Sequence, residues 1–423
     1  MKKLLALLLV AVLAFPVVAF ASGSGTPSIS GTIRVMWWGG DSRHEKTLQA
    51  IDLFKAKYPD VTVEPEYMGG GDYWAKLDTM LAGGSAPDVL QFGGNYPDYV
   101  SKGVLEPLND YFGSLIDITS IDKPMLDAIT VDGKTYGLCL GANRIGIVYN
   151  KAMLDAAGLE PPSADLTWDT FGQYLETLKA KLPEGVYPMY DASCYETNIF
   201  GYYTRYAGQP MYTGAAETTL TVETIKSFLD MWAGWRDKGL VPPGELSAEY
   251  SEKGADTSAL VAGKTVMTIL YSNQIVGYQG AMTDELGISP LPEVDSNAAW
   301  IMPSQYFCMN SKSENKDAAA AFISFFVNTP EVGLILGNDR GISASSVVRE
   351  AIAQVATPLD QKVYALFDVL ADHSTPMDPN VPNDQEFLEG YDKINLSIAY
   401  GKTTTAEGAQ EILDLLNEMI AKK

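Results

Sequence analysis

The stretch 33–41, IRVMWWGGD, constrains the fold of this chain more than any other. An apolar run of strand character ends in two tryptophans and two glycines, and a Gly-Gly pair lets the backbone turn tightly or approach a ligand closely. Ser42 and Glu45 then match the capping-box spacing, and Leu48, Ile51, Phe54 and Tyr58 follow at helical intervals. A strand whose carboxyl end feeds a helix is where open α/β sheets bind ligands. Side chains alternate along a strand, so one indole is expected to anchor in the core and the other to face the ligand. Trp38, next to the glycines, is the expected exposed ring.

The N-terminus reads as a targeting segment. Lys2 and Lys3 form a basic region, residues 4–14 an apolar one, and Ala19-Phe20-Ala21 the small-x-small cleavage pattern. Residues 1–21 are therefore expected to be a signal peptide on an exported, periplasmic protein that carries no metal or other cofactor. The first cysteine is Cys139, so no lipid-anchor cysteine follows the cleavage point. Cys139, Cys194 and Cys308 are odd in number and sit in apolar or aromatic contexts, which predicts buried thiols rather than a disulfide framework. With 423 residues, 46% of them hydrophobic, the chain has enough material for two cores. A formal net charge of −23 disfavours nucleic acid and anionic membrane as partners.

Strands and helices alternate along the chain. Residues 61–67 read as a strand, 72–82 as a helix and 87–92 as a buried strand. Residues 129–137 read as a hairpin turning at Asp132-Gly133, and 138–149 as a mixed stretch crossing Gly141 and Gly146. The opening order predicts a mainly parallel sheet. Helical periodicity marks 168–182, 222–238 and 406–420, the last with Ala409, Ile412, Leu413, Leu416 and Ile420 on one face.

Metalloprotease, nucleophile-elbow, Walker and C-x-x-C motifs are absent from the sequence. The two histidines, His44 and His373, read as surface or capping residues, and the acidic stretch 378–389 as a solvated loop. Aromatic residues instead recur beside amides: Trp37-Trp38, Asn95-Tyr96, Tyr195 to Asn198, Tyr271 to Gln274, and Trp300 with Gln305-Tyr306. Sugars present apolar C–H faces and a rim of hydroxyls, which flat rings and amides complement.

The order of segments resembles the extracellular solute-binding proteins of family 1, the sugar receptors of ABC importers. The landmarks are IRVMWW, FKAKYPDVTVE, KLDTMLAGGSAPDVLQ, KGVLEPL, VDGKTYGLCLGANRIGIVYNKAMLDAAGL, TWDTF, AFISFFVNTPEVG, GNDRGISAS and YGKTTTAEGAQEILDLLNEM. The resemblance implies a periplasmic-binding-protein-like α/β fold with two α/β lobes and a ligand cleft at a multi-crossover hinge. Lobe one would take 31–143 and 293–343, lobe two 144–292 and 344–423. By the same resemblance the cleft would be lined by Trp37, Trp38, Gly39, Gly40, Asp41, Gln91, Asn95, Tyr96, Asn143 and Arg144. Tyr195, Asn198, Ser272, Asn273, Trp300, Gln305 and Arg340 would complete it.

The run WWGGDSRHEKTLQAI is most similar to the oligogalacturonide receptors. Planar guanidinium groups pair bidentately with carboxylates, which makes Arg43, Arg144 and Arg340 candidates for a uronate ligand. Leu270-Tyr271-Ser272-Asn273 stands where maltose-type relatives carry tryptophans, which disfavours a maltodextrin. The implied function is a monomeric, non-enzymatic oligosaccharide receptor that closes on its ligand and docks on a membrane permease. The alternative from the residues alone is an exported carbohydrate-active enzyme with a carboxylate pair.

Overall fold

The computed structural model describes residues 29–194, 197–250, 254–293, 298–370 and 375–422. The expected signal peptide, Tyr195 and His373 lie outside the described residues. Thirteen strands are described: β1 Gly31–Trp38, β2 Val61–Met68, β3 Val89–Phe92, β4 Leu105–Glu106, β5 Thr130–Val131, β6 Lys134–Thr135, β7 Gly137–Asn143, β8 Ile145–Asn150, β9 Tyr187–Met189, β10 Thr265–Tyr271, β11 Leu286–Ser289, β12 Trp300–Asn310 and β13 Thr375–Pro376.

They form two principal sheets and one hairpin. The first sheet runs β13-β12-β3-β1-β2, with β4 and β7 also on β12; the second runs β11-β8-β10-β9. β1 lies parallel to β2 and β3, as the alternating strand–helix order predicts. β12 departs from that expectation where it returns antiparallel to β3, β4 and β7, while it pairs parallel with β13. β12 comes from more than two hundred residues downstream of β3, so local strand–helix order carries no information about its direction. The hairpin β5-β6 turns through Asp132 and Gly133 at φ +50° and +76°, a pairing that favours Asp-Gly.

The stretch 138–149 is where the two sheets are joined. β7 belongs to the first sheet and β8 to the second, and Arg144 alone separates them. Close backbone approach explains the glycines here. Ala142 and Ile342 exchange two backbone hydrogen bonds of 2.8 Å, and a side chain on Gly141 would overlap the Arg340 carbonyl oxygen. Gly341 adopts φ +91°, and a Cβ there would sit 2.6 Å from the Ala142 oxygen.

Each sheet carries its own core. Trp37, Phe54, Phe92, Phe307 and Phe322 belong to one; Trp168, Phe171, Phe228, Trp232, Trp300 and Leu416 belong to the other. The chain is thus two α/β lobes. The helix Thr405–Ala421 buries Ala409, Ile412, Leu416 and Ile420 and starts at a Thr404/Glu407 capping box. The first helix, Asp41–Lys57, has a different start from the one expected: Gly40 is its N-cap without a side-chain bond, and Ser42 lies inside its first turn. Asp41 supplies the negative charge that a helix N-terminus favours. Cys139, Cys194 and Cys308 are free and buried, and burial pushes the Cys139 and Cys194 thiols up to about 12. No single helix among the described residues is long and apolar enough to cross a membrane.

Candidate functional site

The carboxyl ends of β1, β2 and β3 lie side by side and carry an aromatic group. Trp37 has no exposed surface: its ring stacks on Tyr67 at 5.1 Å, and its indole N–H donates to His44 Nδ1 at 3.1 Å. His44 is therefore neither a cap nor a plain surface residue. It is an acceptor held on Nδ1, and burial lowers its pKa below the ordinary 6.5. Trp38 is half-buried, with Tyr73 edge-on at 4.9 Å and Trp74 at 5.1 Å. Gly39 donates to the Met68 carbonyl at 3.0 Å, while Gly40 and Asp41 are exposed at the helix start.

Gln91 is fully buried on β3 and donates through Nε2 to the Trp38 carbonyl at 3.2 Å. Its Oε1, the Asn95 Oδ1 and the Gln305 Oε1 are all buried without a protein donor. Gln91 and Gln305 sit on neighbouring strands, since Gln91 pairs with Phe307. Buried acceptors are ordinarily satisfied, so such carbonyls call for donors from outside the chain. Tyr96 spends its hydroxyl on the Ala128 carbonyl at 2.8 Å and meets Tyr306 edge-on.

At the crossover, Ser272 clamps the two lobes. Its N–H donates to the Arg144 carbonyl at 2.8 Å, the Arg144 N–H donates to its Oγ at 3.2 Å, and its hydroxyl reaches Asn143 Oδ1 at 3.5 Å. Asn143 and Ser272, 129 residues apart, are thus brought together. Asn198 accepts from the Tyr271 hydroxyl at 2.8 Å, and Asn273 is exposed beyond the end of β10.

The three arginines expected to meet a ligand carboxylate are engaged within the protein. Arg43 donates twice to Asp339, at 2.8 and 2.9 Å, tying the first helix to the 339 turn. Arg144 is 2% exposed and lies over the Phe367 ring at 5.0 Å. Burial draws its pKa down to about 10, with the Glu293 charge opposing. Arg340 is 3% exposed, donates to Thr47 Oγ1 at 2.9 Å and lies over Phe326. Burial and the Arg43 charge bring it to about 9, and Asp339 opposes them. Both remain cations at neutral pH. Trp37, Arg43, Arg144 and Arg340 brace the surrounding elements through these contacts.

Trp300 is buried with its indole N–H unpartnered, and the Arg205 guanidinium lies 5.6 Å above its ring. Arg205 pairs with Asp378 at 2.7 Å and donates to the Ala298 carbonyl at 3.1 Å and to Thr375 Oγ1. The stretch 378–389 is accordingly not a solvated loop: it contains this ion pair and the start of the helix Asp384–Ala399. Arg205, Asp378, Tyr67 and Trp74 escaped the sequence reading. The first two are 173 residues apart. Tyr67 and Trp74 carried only the signal of apolar periodicity, which marks core and binding surface alike.

The buried carboxylates are held internally. Asp191 pairs with Arg236 at 2.6 Å and accepts from Ser193, and Glu293 accepts from the Tyr202 hydroxyl and the Ala299 N–H. Among the described residues no group of three His, Cys, Asp or Glu side chains is placed to hold a metal ion.

The family model described as "Bacterial extracellular solute-binding protein" matches residues 49–347. The chain belongs to this family. A family 1 solute-binding protein of Alicyclobacillus acidocaldarius has the same fold, with a TM-score of 0.82 and 28% identity over 93% of this chain and 99% of that one. An oligogalacturonide-binding protein of Yersinia enterocolitica superposes with a TM-score of 0.78 at 23% identity, covering 93% and 99% of the two chains. A maltotriose-binding protein of Pyrococcus abyssi is 25% identical over 73% of this chain and 65% of its own length. Binding proteins of Brucella are 26% identical over 280 residues; that match spans 66% of their length and 64% of this chain. The solute-binding protein described here therefore has the two-lobe fold of its family.

Proposed function

We propose that this solute-binding protein is the substrate-binding component of an ABC carbohydrate importer. It holds an oligosaccharide between its two lobes, closes on it and presents it intact to a membrane permease. The observation that carries this reading is the pairing of the half-buried Trp38 ring with the donor-lacking oxygens of Gln91, Asn95 and Gln305. A ring covers a sugar's C–H face, and unpartnered carbonyls accept from its hydroxyls. Relatives named for maltotriose and for melibiose, raffinose and stachyose support the substrate class. The lobes would pivot where the chain passes between sheets: at Arg144, between β11 and β12, and beside Ile342.

A uronate ligand draws support from the opening motif, while the Yersinia neighbour shares the fold alone. The pairing of Arg43 with Asp339 and the burial of Arg144 and Arg340 weigh against a ligand carboxylate on these three groups. A neutral oligosaccharide is the reading we adopt.

Thermal unfolding in the presence of neutral and uronic oligosaccharides, with the sugars analysed afterwards, tests this function. A ligand-dependent rise in midpoint with unchanged sugar is expected. Released products would instead assign the exported carbohydrate-active enzyme, and no response to any sugar would remove the carbohydrate reading.

A further inference from the structure

A cavity of about 290 Å³ opens on the second lobe beside the crossover. Asn198 connects it to the end of β10 through the Tyr271 hydroxyl, and Trp300 connects it to β12 where that strand approaches Asn143. Its polar wall is Asn198, Arg205, Asp378, Asn380 and Asp384, and its apolar wall includes Trp300 and Met377. The Trp300 indole N–H is buried and has no acceptor among the described residues. The Arg205 side chain is 9% exposed and is committed to Asp378, Thr375 and the Ala298 carbonyl.

Resting on the saccharide-binding function proposed above, we propose that this cavity receives a terminal, uncharged sugar residue of the ligand and rejects a uronate there. Volume and lining suit one end of an oligosaccharide: apolar side chains for the ring face, amide and carboxylate oxygens for its hydroxyls. Charge decides against an acid. Asp378 and Asp384 both line the cavity, its lining guanidinium is already paired with Asp378, and no second cation lines it among the described residues, so a ligand carboxylate would enter a site of net negative charge. Like charges brought together in a desolvated site repel, which gives the cavity its power to discriminate.

Gly201 provides the test, because it lines the cavity and a Cβ built on it meets the Met211 methyl at an ordinary 3.5 Å. Gly201→Leu would extend a side chain into the space. Titration calorimetry of the full protein against neutral di- to tetrasaccharides and digalacturonate is expected to find a neutral ligand and no binding of digalacturonate. Gly201→Leu should weaken the neutral ligand by at least about tenfold. Met377→Trp, at an exposed position of the cavity wall, should weaken it likewise with the unliganded melting midpoint held. If Gly201→Leu lowers that midpoint, the Met377→Trp result decides.

Wild-type affinity in both variants would overturn the cavity assignment and leave saccharide binding intact. Digalacturonate binding that Gly201→Leu abolishes would overturn the uncharged class. Failure of every sugar to bind would overturn both this assignment and the function on which it rests.

Discussion

Trp37 and Trp38 are neighbours with opposite duties. Strand alternation explains the division: Trp37 turns into the first core, and Trp38 stays half-buried beside Tyr73 and Trp74. Trp37→Ala should therefore destabilise the protein by about 3–5 kcal/mol in urea unfolding, as truncation of a buried aromatic does. His44 adds a pH dependence. Its folded-state pKa lies below its ordinary value because burial disfavours the cation, and its Nδ1 must stay unprotonated to accept from Trp37. The unfolded chain then binds the proton more readily, so this contribution is present above pH 6.5 and is lost as pH falls below it. His44→Gln keeps an acceptor and does not titrate; urea midpoints between pH 7 and 5 should fall less for the variant than for the wild type. The adjacency of the two tryptophans was readable from sequence. The engagement of Arg43, Arg144 and Arg340 was not, since Asp339, Phe367 and Thr47 lie far from them along the chain.

At the scale of elements, periodicity was a dependable guide wherever a helix or strand has one buried face. The helix Thr405–Ala421 shows this, with its apolar stripe and its Thr404/Glu407 cap. Thr404→Ala should cost about 1 kcal/mol in the same unfolding measurement. The Ser42/Glu45 pattern had identical spacing yet is no cap, because the two glycines let β1 pass into the helix earlier. Direction was the harder property. The antiparallel return of β12 and the docking of Asp378 on Arg205 depend on partners remote in sequence, which local patterns do not encode. Gly341 belongs to this crossing region, where φ +91° and the nearby Ala142 oxygen both exclude a side chain. Gly341→Ala should lower stability by about 1–3 kcal/mol and loosen the contact between Ala142 and Ile342.

At the scale of the molecule, two sheets with separate cores meet at crossings as narrow as the single residue Arg144. Such a construction lets ligand contacts on both lobes favour a closed arrangement over an open one. The two-lobe plan was legible only through the order of many loose motifs, each weak alone. The measurement that tests the central claim most directly is isothermal titration of the full chain with the neutral oligosaccharide that most raises its melting midpoint, alongside Trp38→Ala. One saturable site of about micromolar affinity or tighter, near 8 kcal/mol, is predicted for the wild type, with the sugar recovered intact. Trp38→Ala should weaken that site at least about tenfold under conditions where its own melting shows the variant folded. Absence of binding heat, or equal affinity in the variant, would contradict the account.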